Sequence, residues 1–182
     1  MNPLKFTPEM LIRKRPSSLD VVTTLAHFAI ITYMVAPDGL RVHIPERFEL
    51  DCITASDGTQ KALISVVPFI DQDFCFVRFP WLKWCFGQTN YRAYVTDRQT
   101  GEHVVWFFGT ALDSFSVNIP RYAWKLPWHH AQIRFDTEYD QALERYTQYR
   151  MTARSKWAPA ALELEDSGEP IQALPGFPNL ET

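Results

Sequence analysis

Two short stretches of this sequence carry side chains able to do chemistry. "LPWHHAQI" (126–133) sets two of the chain's five histidines side by side, and "QTNYRAYVT" (88–96) interleaves amides, an arginine and tyrosines. Adjacent side chains on a β-strand point to opposite faces, so His129 and His130 on one strand cannot close on one metal ion. His129 shares a face with Ala131, Ile133 and Phe135 and is the inward one, whereas His130 goes outward with Gln132, Arg134 and Asp136. His129 is open to two readings: a core imidazole bonded to backbone, or a pocket acid, base or ligand anchor. In the second stretch Gln88, Asn90, Arg92 and Tyr94 form a polar ladder opposite Thr89, Tyr91, Ala93 and Val95. Turned into a lumen, Asn90 and Arg92 would bind a carboxylate or carbonyl oxygen through the guanidinium fork. Turned outward, they are solvated surface.

These residues depend on the elements that carry them. "AHFAIITYMV" (26–35) reads as a strand stopped by Pro37-Asp38-Gly39, with one helical turn following before Pro45. "FELDCITA" (48–55) and "KALISVVPFI" (61–70) read as hairpin arms about the Asp57-Gly58 turn. "DQDFCFVRFPWLKWCF" (71–86), dense in rings and broken by Pro80, suits a loop or lid over an apolar opening. "QTNYRAYVT" and "EHVVWFFGTAL" (102–112) around "DRQTG" form the clearest hairpin. A short helix capped by Asp113 or Ser114 and ended near Pro120 is expected next, then extended chain from Trp128. The span 139–157 fits a helix face and an alternating strand alike; strand is the reading adopted. The result is a mainly β fold, a closed or nearly closed antiparallel sheet with a few short helices. It divides into an N-terminal extension (1–24), a main domain (25–165) and an irregular Pro- and Gly-rich tail (166–182).

Bulk properties narrow the function. With 182 residues, 46% hydrophobic and 14% aromatic, the chain can bury a core of its own. Eighteen Lys and Arg against 21 Asp and Glu leave no basic field for nucleic acid. Cys52, Cys75 and Cys85 are odd in number and without C-x-x-C spacing, so buried, reduced thiols are expected rather than a disulfide or zinc site. His43 and His103 have no ligand-like spacing to the histidine pair, and no metal or cofactor is expected. No apolar run follows the basic N-terminus, and 25–36 is too short to span a bilayer; a cytoplasmic protein without membrane contact is the expectation. Nucleotide-binding, G-x-S-x-G and H-E-x-x-H motifs are absent.

In order, "ITYMVAPDGLRVHIPERFEL", "ALISVVPF", "NYRAYV", "VVWFFGTALDS" and "LPWHHAQI" resemble the family known as domain of unknown function 2071, within the acetoacetate-decarboxylase-like superfamily. The likeness spans about residues 25–165, its most specific pieces being Leu40-Arg41 to Pro45, Asn90-x-Arg92-x-Tyr94 and Leu126-Pro127-Trp128. It implies a cone-shaped, mostly antiparallel β-barrel around a central cavity. It also implies Schiff-base chemistry on a lysine that follows a proline and precedes a second lysine. Here Pro120 is followed by Arg121 and Tyr122, and arginine supplies no neutral amine near neutral pH. That mechanism is therefore not carried over; Lys125 is the nearest substitute amine, and Met34 stands where the decarboxylase has an arginine. Relatives continue past "PGFPNLET", so the chain is expected to be shortened.

The leading expectation is a protein that binds a small carboxylate- or carbonyl-containing molecule in the cone, with Asn90, Arg92, Tyr94, His129, Arg121 and Tyr122 as the ligand-binding residues. The alternative is a lyase or hydrolase on a small keto acid, with His129 as acid-base group or Lys125 as amine. A third is a protein-interaction module using the aromatic run 74–86. Self-association is left open.

Overall fold

The computed structural model describes residues 16–18, 20–114, 118, 122 and 125–169. These form eleven strands and one short helix: β1 (Val21–Ala26), β2 (Ile31–Val35), α1 (Pro37–Arg41), β3 (Phe48–Leu50), β4 (Cys52–Thr54), β5 (Gln60–Phe76), β6 (Trp84–Asp97), β7 (His103–Leu112), β8 (Trp128–His130), β9 (Gln132–Asp140), β10 (Arg145–Arg154) and β11 (Ala160–Leu164). β1 to β8 make one sheet and β9, β10 and β11 a second.

β5 organises the large sheet. One of its edges carries β1 at residues 70–76 and β2 at 62–66; the other carries β6 and, at its start, β4. The sequence places one strand over 26–35, but the structure breaks it between Ala26 and Ile31. Proline has no N–H to donate to a ladder, and Pro68 lies opposite this break, its carbonyl accepting from Ala29 N at 3.1 Å. With no donor at that point the pairing lapses, and His27 turns through φ +51°. The aromatic run 71–86 is likewise mostly strand, not lid: β5 continues to Phe76, β6 resumes at Trp84, and Val77–Lys83 alone turns the corner around Pro80. At that tip Phe79, Trp81, Leu82 and Trp84 are exposed.

The two sheets pack face to face. Ala111 on β7 meets Ala131, Ile133, Tyr149, Met151 and Ala153, all buried, with Tyr91 and Phe135 packed around them. At Gly87 even a methyl group would come within 2.9 Å of Ile133, so glycine is what lets β6 approach β9. On the same face α1 and its following turn bring Ile44 against Ala93 and Val95. Strand is correct for 145–154, and alternation through 128–136 is as read: Ala131 and Ile133 are buried, His130, Gln132, Arg134 and Asp136 exposed.

The closed cone is not found, since neither sheet closes. β8 is three residues long, pairs parallel to β7, and then turns at Ala131, whose N–H donates to Leu112 O at 2.9 Å. The chain enters the second sheet there instead of continuing the first round to β1. The large sheet is therefore mixed, and the polar ladder lies on the face of an unclosed sheet rather than inside a barrel. The thiols also differ from expectation: Cys75 is buried and Cys52 half-buried, but Cys85 is exposed. The helix expected after Asp113 falls mostly outside the described residues, as do most of the tail and the first fifteen residues.

The kink at His27 is held by the second sheet. The Tyr149 hydroxyl donates to His27 O at 2.7 Å. His27 Nδ1 lies 3.1 Å from the Tyr146 hydroxyl and 3.2 Å from Thr137 Oγ1. Burial, and then the neighbouring Tyr146, push the Tyr149 phenol well above its ordinary value of 10.0. A raised native value means stability is complete below about pH 10 and falls as the pH rises through the native value, because the unfolded chain loses that proton first. Tyr149→Phe is expected to cost about 1 kcal/mol at neutral pH and to flatten the alkaline loss. Urea midpoints measured from neutral to strongly alkaline pH check this, and parallel slopes for the two proteins would refute it.

Candidate functional site

The face of the large sheet that does not meet β9 and β10 carries the polar ladder. Register places Ser65 beside Arg92, Val67 beside Asn90 and Phe69 beside Gln88 on β5 and β6. It places Thr110 beside Asn90 and Leu112 beside Gln88 on β7, and Thr32 beside Ser65 on β2. The middle of this face is shielded from solvent: Ser65 is 0%, Val67 1%, Leu112 1% and Thr110 5% exposed. Asn90, Arg92 and Tyr94 are half-buried at its centre. Met34 and Phe107, both exposed, stand on the same face toward its rim.

Two hydrogen-bonded groups share it. Thr32 Oγ1 lies 2.8 Å from Ser65 Oγ, which lies 2.9 Å from the Tyr94 hydroxyl, and an Arg92 terminal nitrogen donates to that hydroxyl at 3.4 Å. The guanidinium carbon sits 5.6 Å from the Tyr94 ring centroid, a cation–π contact that steadies the fork. Asn90 Oδ1 accepts from Gln88 Nε2 at 3.1 Å and from Thr110 Oγ1 at 2.8 Å. Those two bonds fix the amide so that its NH2 is left to donate. Arg92 Nε is buried and makes no hydrogen bond among the described residues. A buried donor without an acceptor costs about 1–3 kcal/mol; Thr89 Oγ1 and Arg145 Nε share this status among the described residues, but Arg92 Nε alone of the three lies on the polar face. Two residues apart on one strand, Asn90 and Arg92 thus share a face, with the Asn90 NH2 and the Arg92 Nε making no hydrogen bond among the described residues.

His129 does not join them. It pairs with Ala111, whose partner across β6 is Thr89, so it lies on the opposite face from Asn90. Its ring stacks on Trp157 with centroids 4.1 Å apart and planes 7° from parallel. Tyr122 is 75% exposed, Lys125 is exposed with φ +54°, and Arg121 lies outside the described residues. Sequence reasoning missed Ser65, Thr32 and Thr110 as members of the polar network. A serine inside the apolar run "ALISVV" was the one available signal.

A large sheet centred on a long β5–β6 hairpin and backed by a smaller antiparallel sheet is the acetoacetate-decarboxylase-like fold. An acetoacetate decarboxylase from Legionella pneumophila subsp. pneumophila superposes with a TM-score of 0.59 at 14% identity, over 95% of this chain and 63% of that one. A second acetoacetate decarboxylase gives 0.54 at 16% identity, covering 80% and 50%. The enduracididine biosynthesis enzyme MppR, complexed with the condensation product of pyruvate and imidazole 4-carboxaldehyde, gives 0.54 at 13% identity, covering 81% and 57%. The chain thus spans less than two thirds of each of these proteins. Residues 22–175 match the family model of domain of unknown function 2071, described as an uncharacterized conserved protein, and the chain belongs to that family. No curated protein matches the sequence. No helix among the described residues is long and apolar enough to cross a membrane.

Proposed function

We propose that the chain binds a small carboxylate- or carbonyl-containing molecule on the polar face of its large sheet, with Arg92 gripping the carboxylate and Asn90 donating to a neighbouring oxygen. The buried Nε of Arg92, unpaired among the described residues, carries this reading. A guanidinium meets a carboxylate through two parallel N–H groups, and Nε with one terminal nitrogen forms such a fork. Tyr94, tied through Ser65 to Thr32, holds the other side of the guanidinium and pre-sets its angle. Met34 and Phe107 offer an apolar rim for the rest of the ligand. A neighbour in fold, MppR, is known as a complex with pyruvate, which makes pyruvate a suitable first probe.

Calorimetric titration with pyruvate and larger 2-oxo acids tests the reading. Arg92→Ala is expected to weaken binding by about 10- to 100-fold, the worth of a charge-assisted hydrogen bond pair. Lys125→Ala should leave it unchanged, because that side chain stands exposed away from the network. Borohydride with pyruvate should accordingly leave no adduct on Lys125 by mass spectrometry. Undiminished binding in Arg92→Ala would overturn the assignment, and a trapped lysine would move the site to the enzyme reading.

A further inference from the structure

A hollow lies at the open end of the β9–β10 ladder, away from Arg92, and its chemistry differs from that of the polar face. It is an open depression of about 640 Å3 lined by His129, His130, Gln132, Arg154, Lys156 and Trp157, with Ser155 between the two cations. In a chain of formal charge −3, this lining gathers four basic side chains and, among the described residues, no carboxylate. Elsewhere Arg47, Lys83, Arg98 and Arg150 are neutralised by Asp97, Asp73, Glu49 and Glu163, whereas among the described residues Arg78 and Arg134 stand singly without an ion pair. Among the described residues, Arg154 and Lys156 have no such ion pair. Two cations left together without a counter-charge repel each other, and an anion between them removes that repulsion.

The segment that presents them is fixed rather than loose. The Ser155 hydroxyl donates to His130 O at 3.3 Å and accepts from Trp157 N at 3.2 Å. The Trp157 ring is clamped between the stacked His129 and the edge of Tyr91, 5.4 Å away at 85°. Tyr91 in turn donates to Ala158 O at 3.1 Å. Arg154 is held by its ladder pairing with Gln132. The backbone that carries Arg154, Lys156 and His130 is therefore fixed before any ligand arrives, which lowers part of the entropy cost of capture.

We infer that this hollow is a binding site for a phosphate monoester, the dianion lying between Arg154, Lys156 and His130 and the organic group against Trp157. A dianion with three acceptor oxygens matches several convergent donors where a single carboxylate would satisfy only one or two. The site is separate from the polar face and does not depend on it.

Titration of the full chain with phenyl phosphate, followed by calorimetry, tests this, with inorganic phosphate and benzoate as companions. Saturable one-to-one binding is expected, in the order phenyl phosphate, inorganic phosphate, benzoate. The double variant Arg154→Gln/Lys156→Gln, both positions exposed, should weaken phenyl phosphate by at least about tenfold, while Arg92→Ala leaves it unchanged. Binding that fails to saturate, that survives the double variant, or that favours benzoate equally in the Arg92→Ala chain, where the polar face no longer takes carboxylates, would overturn the inference. Loss in Arg92→Ala alone would assign the anion to the polar face instead.

Discussion

Met151→Ala is expected to lower unfolding free energy by about 2–5 kcal/mol, the range for truncating a long buried side chain without refilling its space. Met151 has no exposed surface and lies at the heart of the contact between the sheets, paired with Phe135 on β9 and Leu162 on β11. It sits in the same cluster as Ala111, Ala131 and Ala153. The three alanines of that cluster have little side chain to move into the gap. For a domain of this size each kcal/mol shifts the melting temperature by about 2–4 °C, so a single scan by calorimetry reads the effect. Met151→Leu, nearly equal in volume, should cost less than about 1.5 kcal/mol. Equal losses for both substitutions would show that the site tolerates collapse and that the packing account is wrong.

Gly109→Ala is the second large effect, about 1–3 kcal/mol, and it arises from crowding. A methyl group there would stand 2.5 Å from Trp157 Cη2 and 2.8 Å from the Pro127 carbonyl oxygen. The indole would have to leave its stack on His129, and the backbone at Pro127 would have to yield as well. Trp157→Ala relieves the first clash but not the second. The double variant should therefore be less destabilised than the two single losses added together, yet still below Trp157→Ala alone. Denaturant curves for the four proteins of this cycle give the coupling, and strict additivity would mean that the indole is not what the glycine accommodates.

Local signals in the sequence were enough for the β6–β7 hairpin, because alternation over 88–96 and 102–112 and the Gly101 turn agree with one another. They were enough, too, for Asn90, Arg92 and Tyr94 to share a face, since that follows from the two-residue repeat of a single strand. What depended on partners was not legible. The break at His27 has its cause in Pro68 on another strand. The aromatic stretch 71–86 looks like a lid because proline and ring-rich runs mark loops, yet only its centre turns while both flanks pair. His129 has an inward parity of its own, but which of the sheet's two faces that means is set by the parallel register of β8 on β7. The same short strand, leaving the sheet at Ala131, is why a closed wall could be expected from strand count and not be formed.

The dependence of β1, β2 and β4 on β5 has a consequence for how the protein is made. Synthesis begins at the N-terminus, so the stretches that become β1 and β2 leave the ribosome well before their only described partner. Val21, Val22 and Leu25 therefore travel as unpaired, apolar chain until the stretch up to Phe76 has emerged, and Met34 until Leu63 has. Such edges recruit other chains readily. The nascent protein is most exposed to misassociation, and most in need of a chaperone, during that interval rather than at the end of translation.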